Sequence, residues 1–259
     1  MGKIVSIHSF RGGTGKSNTT ANLAALAAMA GKRVGIVDTD IQSPGIHVLF
    51  GLDSIKMGKT LNQFLRGECK IEEVAFNIGE NVGESEGRQK LIGKDLWLIP
   101  SSIETSEIHR VLRDGYDANK LNEGLQTIIE ELNLDYLFID THPGINDETL
   151  LSLAISDVLV LLMRPDQQDF QGTSVTVDVA RMLDVPNLFL AVNKVLSKYD
   201  FKQVKEEIES VFSCTVAGVM PLTEDLVELG SSDLMALKSP DHTWSKAINQ
   251  VSQAVLSAD

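Results

Sequence analysis

The chain has 259 residues, 43% of them hydrophobic, with 23 basic and 36 acidic side chains and a net charge of −13 at pH 7. A chain of this size and composition can bury a substantial core, and we expect a single domain over 1–259. The acidic excess argues against binding to nucleic acid or anionic lipid through the overall charge, because both partners require a positive surface. Nonspecific DNA binding is left open, without support from the charge.

Short, nearly continuous apolar runs alternate with segments of helical periodicity. The first run, 3–10, leads into a Gly-rich loop, and an Ala/Leu-rich helix is predicted over 16–31. Further strands are predicted at 33–40, 96–101, 135–141, 157–164, 187–194 and 215–221, and further helices at 118–133, 168–184, 200–212, 222–230 and 240–256. Runs this apolar are typical of strands covered on both faces. The sequence therefore predicts an α/β fold, a doubly wound, mostly parallel sheet flanked by helices in a Rossmann-like three-layer sandwich.

One segment, 77–95, is rich in glycine and charge and interrupts this alternation. We expect it to be an exposed loop or hairpin insertion, and both a disordered loop and an ordered, partner-binding loop are open. Cys69 and Cys214 lie outside any CxxC or Cys/His cluster, which favours reduced thiols over a disulfide or metal site. With no signal-peptide pattern at 1–10 and no apolar run of about 20 residues, the cytoplasm is the expected location.

The sequence GGTGKS lies between the first predicted strand and the first predicted helix. Glycines let backbone N–H groups curl around phosphate oxygens, and the helix start adds its positive dipole end. Lys16 is expected to reach the β- and γ-phosphates, and the Ser17 hydroxyl to ligate Mg²⁺. The residues predicted to contact the nucleotide are Gly12, Gly13, Thr14, Gly15, Lys16, Ser17 and Asn18.

Polar side chains end three further predicted strands, at the edge where ligands bind in open α/β sheets. Asp38 and Asp40 are one residue apart and suit a metal ion and an attacking water, with an acidic loop that caps a helix as the alternative. Asp140 precedes a Pro/Gly turn, and an acid there can hold Mg²⁺ through water. Asn193 offers an amide to a purine edge.

Together, FRGGTGKSNTTANLA (10–24), VDTDIQSPG (37–45) and FIDTHPG (138–144) resemble the ParA/MinD family of P-loop ATPases with a deviant Walker A motif. The resemblance covers nearly the whole chain and is weakest over 77–95. It implies a P-loop NTPase fold, the cofactors ATP and Mg²⁺, and a homodimer that forms on ATP binding. The residue roles that it implies are phosphate binding by Lys16, Mg²⁺ ligation by Ser17, orientation of the lytic water by Asp40, a Walker B acid at Asp140, and adenine contacts from Asn193, Pro221 and Thr223.

The loop departs from the family pattern at two positions. In the family, a signature lysine follows the opening glycine and reaches across an ATP-sandwich dimer to the partner's phosphates. Arg11 stands at that lysine's position, and Phe10 replaces the glycine. Arginine keeps the charge and adds a fork suited to bidentate phosphate contact, so we expect Arg11 to be a catalytic replacement, with loss of the role as the alternative. Phe10 indicates an ordinary negative φ at position 10, or packing on the partner subunit.

Two further features of the sequence are His142 and the predicted helix over 240–256. His142 is expected to make a hydrogen bond within the turn after Asp140, with a base or phosphate-sensing role as the alternative. The predicted helix over 240–256 contains one lysine, so the basic amphipathic anchor of MinD-type proteins is not expected, and we see no membrane anchor.

The leading hypothesis is a slow, partner-stimulated ATPase switch that positions, partitions or assembles a cellular cargo through a protein partner or cargo adaptor. A nucleotide-sensing binding module with little hydrolysis is the first alternative, since Phe10 and Arg11 depart from the family pattern. An ATP-dependent carrier of metal clusters is the second, although the sequence lacks the paired ligand cysteines. The cargo and the partner cannot be read from the sequence.

Overall fold

A computed structural model describes residues 2–52 and 58–258; residues 1, 53–57 and 259 of the predicted domain lie outside this part. Its centre is an eight-stranded sheet in the order β3-β4-β2-β5-β1-β6-β7-β8. The short β3 pairs antiparallel with β4, and every other described neighbour is parallel. The strands are β1 Lys3–His8, β2 Val34–Asp38, β3 Phe76–Asn77, β4 Leu96–Ile99, β5 Tyr136–Asp140, β6 Val158–Met163, β7 Asn187–Val195 and β8 Thr215–Pro221.

Helices cover both faces of this sheet. The longer ones are α1 Lys16–Met29, α6 Thr105–Asp114, α7 Ala118–Glu131, α8 Asp147–Ala154, α9 Gln167–Met182, α10 Phe201–Phe212 and α13 Thr243–Ser257. The short ones are α2 Ile46–Leu49, α3 Leu61–Leu65, α4 Ile78–Asn81, α5 Glu86–Gln89, α11 Glu224–Leu229 and α12 Met235–Lys238, with a 3₁₀ turn at Ile71–Val74. The predicted three-layer α/β fold is confirmed.

Alternate residues of each strand enter different cores, as the pleat requires. Val5 and Ile7 of β1 pack into the core that contains α1 and α13. Ile4 of the same strand faces the opposite core, which contains α7. A third cluster on that opposite side joins β6 and β7 to α9 and α10. Burial on both faces explains why the strands appear in the sequence as continuous apolar runs.

The segment 77–95 is not an exposed loop throughout, as the sequence had led us to expect. It begins at the antiparallel strand β3 and contains α4 and α5. Several of its residues are buried, including Ile78, Arg88 and Leu91. The Arg88 guanidinium donates to the carbonyls of Val48 (2.8 Å), Leu49 (2.8 Å) and Ser231 (3.3 Å). The glycines and charges that suggested an exposed loop therefore serve tight packing and one buried cation.

Candidate nucleotide site

Asp38, Asp140 and the Gly-rich loop meet at the carboxyl ends of β2, β5 and β1, which are neighbours in the sheet. The parallel register places Asp38 beside Asp140, and Asp140 beside Ile7 of β1. The loop from Ser9 to Gly15 follows β1 directly. The carboxylates that are about a hundred residues apart in sequence therefore lie beside the Gly-rich loop, as expected for an open α/β sheet.

The loop between β1 and α1 has the shape that a phosphate cradle needs. Gly13 (φ +73°) and Gly15 (φ +102°) adopt the left-handed region, which favours glycine. The buried Thr14 hydroxyl donates to Ser9 Oγ (2.9 Å), which donates to the carbonyl of Arg11 (2.7 Å). These two hydrogen bonds join Ser9 and Arg11 at the start of the loop to Thr14 near its end. Thr14 therefore supports the loop with its side chain, and only its backbone is left to meet a phosphate.

Lys16, the first residue of α1, is a buried cation without an ion-pair partner. Lys16 is 8% exposed, and no carboxylate in the described chain lies within 4 Å of its ammonium nitrogen. Burial lowers the Lys16 pKa, while Asp140, Asp40 and Asp38 oppose that change. An unpaired buried ammonium at a helix start is poised to bind an anion such as phosphate.

Asp140 ends β5 and receives hydroxyl groups from α1. Thr20 Oγ1 donates to Asp140 Oδ1 (3.2 Å), and the Ser17 hydroxyl also hydrogen-bonds to this carboxylate. Burial raises the Asp140 pKa to about 6, while Ser17 and Lys16 act to lower it. The structure thus joins one hydroxyl and one carboxylate, hard oxygen donors of the kind that Mg²⁺ prefers, beside the phosphate loop.

The described chain contains no cluster of three or more His, Cys, Asp or Glu side chains arranged to hold a metal ion unaided. Mg²⁺ usually keeps several waters and takes few protein ligands together with substrate phosphates. The donor set at Ser17 and Asp140 therefore fits Mg²⁺ that arrives with a nucleotide.

Asp38 uses both carboxylate oxygens inside its own loop. Its Oδ1 accepts from the backbone N–H of Asp40 (3.1 Å) and its Oδ2 from that of Gly45 (3.1 Å). Burial raises its pKa well above the usual value, and the nearby charges of Asp140 and Asp40 add to this. These contacts are those of a residue that shapes the loop. The predicted contact of Asp38 with a metal ion stays a prediction.

Asp40 lies two residues beyond β2 and meets His142, which lies two residues beyond β5. His142 Nδ1 is 2.8 Å from Asp40 Oδ1. The same oxygen accepts from the backbone N–H (3.2 Å) and the hydroxyl (3.1 Å) of Ser43. The sequence predicted a hydrogen bond for His142, but not that its partner would be the residue expected to orient the lytic water.

Asn193 near the end of β7 braces the phosphate loop. Its Nδ2 donates to the carbonyl of Thr14 (2.8 Å) and its Oδ1 accepts from the backbone N–H of Lys194 (2.9 Å). The residue is 3% exposed, and its amide nitrogen would lie 2.6 Å from a Cβ added at Gly15. The close approach of the two chains at this point requires glycine at position 15. The predicted adenine contact of Asn193 stays a prediction.

Lys194 is a loop contact that sequence reasoning missed. It adopts φ +61°, unusual for a residue with a side chain. Its Nζ donates to the carbonyl of Gly13 (2.7 Å). The pair Asn-Lys directly after an apolar strand was the available signal, but its meaning depends on β7 passing close to the loop.

Pro221 ends β8 and is buried, whereas Thr223 begins the next helix. The Thr223 hydroxyl accepts from the backbone N–H of Asp225 (3.3 Å) and donates to its carboxylate (2.9 Å). Thr223 is therefore a helix cap in this structure. The predicted roles of both residues at the nucleotide base stay predictions.

Phe10 and Arg11 both contact α9 of their own chain. Phe10 has a negative φ, as predicted, and its ring, on a residue that is 37% exposed, packs against Gly172. A Cβ added at Gly172 would lie 2.1 Å from Phe10 Cδ1. The Arg11 guanidinium lies 3.6 Å from the carboxylates of both Asp166 and Asp169. Arg164 also pairs with both acids, at 3.2 and 3.0 Å.

His8 occupies the last position of β1 and is fully buried. The Thr141 hydroxyl donates to the carbonyl of Ile7 (2.9 Å), so it accepts from His8 Nδ1 (2.7 Å). His8 Nε2 has no hydrogen-bond partner in the described chain. Burial, with the charge of Lys16 and of His142, lowers the His8 pKa to about 3. His8 is thus a neutral core histidine, and only one of its two nitrogens has a hydrogen-bond partner in the described chain.

Comparison with known proteins assigns the chain to a family. The model of an AAA domain matches residues 2–187. An uncharacterized ATP-binding protein of Methanocaldococcus jannaschii is 25% identical over 259 residues, which cover 100% of this chain and 89% of that protein. The flagellum site-determining protein YlxH of Helicobacter pylori is 28% identical over 84% of this chain and 66% of its own length. The septum site-determining protein MinD of Synechocystis is 24% identical over 88% and 79%. The chain belongs to the ParA/MinD family of P-loop ATPases.

Solved structures of the ParA/MinD family share this fold. The cell division ATPase MinD of Pyrococcus furiosus superposes with a TM-score of 0.82 at 20% identity and full coverage of both chains. MinD of Pyrococcus horikoshii, complexed with Mg-ADP, gives 0.80 at 20% identity over 99% of this chain and 97% of its own. ATP and Mg²⁺ are the cofactors of the family, which confirms that prediction at the family level. In the described part of this member, no helix is both long and apolar enough to cross a membrane.

Proposed function

We propose that this chain is a Mg²⁺-dependent ATPase switch. ATP binding closes a nucleotide-sandwich homodimer, the dimer binds a protein partner or cargo adaptor in the cytoplasm, and slow, partner-stimulated hydrolysis resets the monomer. The observation that carries the proposal is the buried, unpaired ammonium of Lys16 beside Asp140. A site with these charges suits an anionic ligand that brings its own metal ion.

Each residue has a role that follows from its position. Lys16 and the backbone N–H groups of the loop bind the phosphates, and Ser17 and Asp140 would hold Mg²⁺, which would neutralise phosphate charge. Asp40 orients the attacking water through its free Oδ2. Asp38 keeps the loop that carries Asp40 in shape.

Arg11 supplies the charge that crosses the dimer in this proposal. In the free chain it lies against Asp166 and Asp169, and its side chain is 38% exposed. The pair with Asp166 joins two exposed groups and is worth about 0–1 kcal/mol in water. Asp169 is buried, but it keeps Arg164 as a partner at 3.0 Å when Arg11 leaves, so Arg11 can exchange both contacts for a partner's triphosphate. Arg11→Ala is expected to lose ATP-dependent dimerisation, and Arg11→Lys to keep part of it. If both variants match the wild type, Arg11 has no role between subunits.

The relatives support the biological output. Two of those named above are called site-determining proteins, one of the flagellum and one of the septum, and one solved neighbour is a complex of MinD with MinC. Positioning of a cellular structure through a protein partner is therefore the output that we propose. A local basic patch for DNA binding gains no support from the net charge of −13.

The proposal is tested by trapping the ATP state. Asp40→Ala is expected to form an ATP-bound dimer, measured by light scattering at saturating ATP and Mg²⁺, and to lose phosphate release. Lys16→Ala is the matched control, which should neither bind nor dimerise. An Asp40→Ala protein that remains monomeric under these conditions contradicts the dimer switch.

One observation favours a second function, a nucleotide-sensing module with little hydrolysis. Arg11 already has two acidic partners in its own chain, so an arginine that stays there would leave the partner's phosphates without its charge. Steady-state phosphate release separates the two functions. Release by the wild type that disappears in Lys16→Ala supports the enzyme, whereas tight ATP binding without turnover supports the module.

A further inference from the structure

The sheet register explains why His142 and Asp40 meet. Strands β2 and β5 run parallel with Asp38 opposite Asp140. Asp40 and His142 each follow two residues further along the same direction, so their side chains leave the sheet edge side by side. His142 Nδ1 lies 2.8 Å from Asp40 Oδ1, and both side chains are mostly buried, at 19% and 13% exposed. The contact joins two loops that sequence separates by 102 positions.

The two oxygens of Asp40 have different surroundings. Oδ1 accepts three hydrogen bonds: two from Ser43 in its own loop and one from His142 in the other loop. Oδ2 accepts none from the described residues. The carboxylate is thus fixed through one oxygen and free at the other. Among the three donors, His142 alone ties Asp40 to the turn that follows Asp140.

We propose that His142 is a positioning residue for hydrolysis. It fixes the Asp40 carboxylate so that the free oxygen meets the attacking water, and it makes the placement of Asp40 depend on the turn after Asp140. This inference rests on the proposed function, in which Asp40 orients the water. A shift of about 1 Å in such a group can cost about 100-fold in rate, so the contact has a measurable consequence.

A merely structural contact between two loops would behave differently. Its loss would lower stability, or weaken ATP binding and turnover together. A positioning residue affects turnover while ATP affinity and dimer formation persist. Its effect also disappears once Asp40 is removed, because it acts only through that carboxylate.

The experiment compares three substitutions of His142 in the full chain. His142→Asn places an amide donor near the position of Nδ1, His142→Gln places it near that of Nε2, and His142→Phe removes the donor. We expect kcat to fall about 10- to 100-fold in His142→Phe and His142→Gln, with the Kd for ATP within about threefold of wild type. His142→Asn should recover most of the loss. His109→Asn, on the exposed face of α6, is the matched control and should leave turnover unchanged.

Further readouts separate this inference from the proposed function. His142→Phe should prolong the ATP-bound dimer, as Asp40→Ala does, and the double variant should be no slower than Asp40→Ala alone. Unchanged kcat in His142→Phe, equal behaviour of His142→Asn and His142→Gln, or additive loss with Asp40→Ala overturns the positioning role. Absence of turnover in the wild type would instead overturn the proposed function.

Discussion

The contact between Phe10 and Gly172 predicts that Gly172→Ala lowers the stability of the wild type but raises stability once the Phe10 side chain is removed. In the wild type, Gly172→Ala places a Cβ 2.1 Å from Cδ1 and 2.8 Å from Cβ of Phe10. The second distance involves an atom close to the backbone, so rotation of the ring alone does not relieve the overlap. Overpacking of this kind typically costs about 1–3 kcal/mol. Inside a helix, alanine is also about 1 kcal/mol more stabilising than glycine. The net destabilisation expected is therefore about 0–2 kcal/mol.

Removing the whole Phe10 side chain, Cβ included, should leave only the gain. In a Phe10→Gly background, Gly172→Ala is expected to stabilise the nucleotide-free protein by about 1 kcal/mol. The free energy of unfolding, measured in urea for the four proteins of this cycle, should give a coupling of about 1–3 kcal/mol. Ala180 lies on the same helix and is already a buried alanine. Exchanging it for glycine is the control for the alanine–glycine difference inside this helix. A coupling below about 0.5 kcal/mol would refute the steric reasoning, because independent sites add within that margin.

Three further predictions concern the pH dependence, the loop and the buried arginine. Burial lowers the pKa of His8 from its ordinary 6.5 to about 3, so the unfolded chain binds the extra proton and stability falls as pH drops through 6.5 towards 3. We expect wild type to lose about 1.5 kcal/mol more than His8→Asn between pH 6.5 and pH 5 in urea unfolding; equal losses would contradict the buried neutral imidazole. Lys194→Asn keeps a residue type that tolerates positive φ but loses the contact with Gly13, so calorimetry should show Mg-ATP affinity about fivefold weaker, and unchanged affinity would deny Lys194 a role in the loop. Arg88→Met should lower the unfolding free energy by about 2–4 kcal/mol, because three carbonyls lose a charged donor, while an exposed substitution such as Arg110→Met should change it by under about 0.5 kcal/mol.

Seven of the eight described strands were predictable because burial on both faces leaves an apolar run in the sequence, whereas the two-residue β3 was not predicted. The phosphate loop was predictable because its residues are contiguous, with a strand before and a helix after. Shorter or more exposed elements were missed. α6 does have a helical apolar spacing, at Ile108, Val111 and Leu112, so its signal was present in the sequence and was missed, although only Val111 is buried. The helices α2 and α5 have four residues each, too few for any period to appear.

Contacts between distant parts of the chain could not be derived in the same way. The partner of His142 depends on the register between β2 and β5, and the contact of Lys194 depends on the path of β7 beside the loop. Phe10 could be assigned a negative φ from its side chain alone. That its ring rests on Gly172 required the position of α9, which no local pattern gives.

The buried Arg88 has a consequence for how this protein can vary among relatives. In the described chain, its guanidinium hydrogen-bonds only to main-chain carbonyls, those of Val48, Leu49 and Ser231. Every amino acid supplies a carbonyl, so the attachment itself makes no demand on the side chains at those three positions. Leu49 is held by its burial in the core and Ser231 by its φ of +60°, whereas Val48 is 46% exposed and has neither constraint. An alignment of close orthologues should therefore show an invariant arginine that contacts a variable residue at position 48, a pattern that covariation between side chains would not detect.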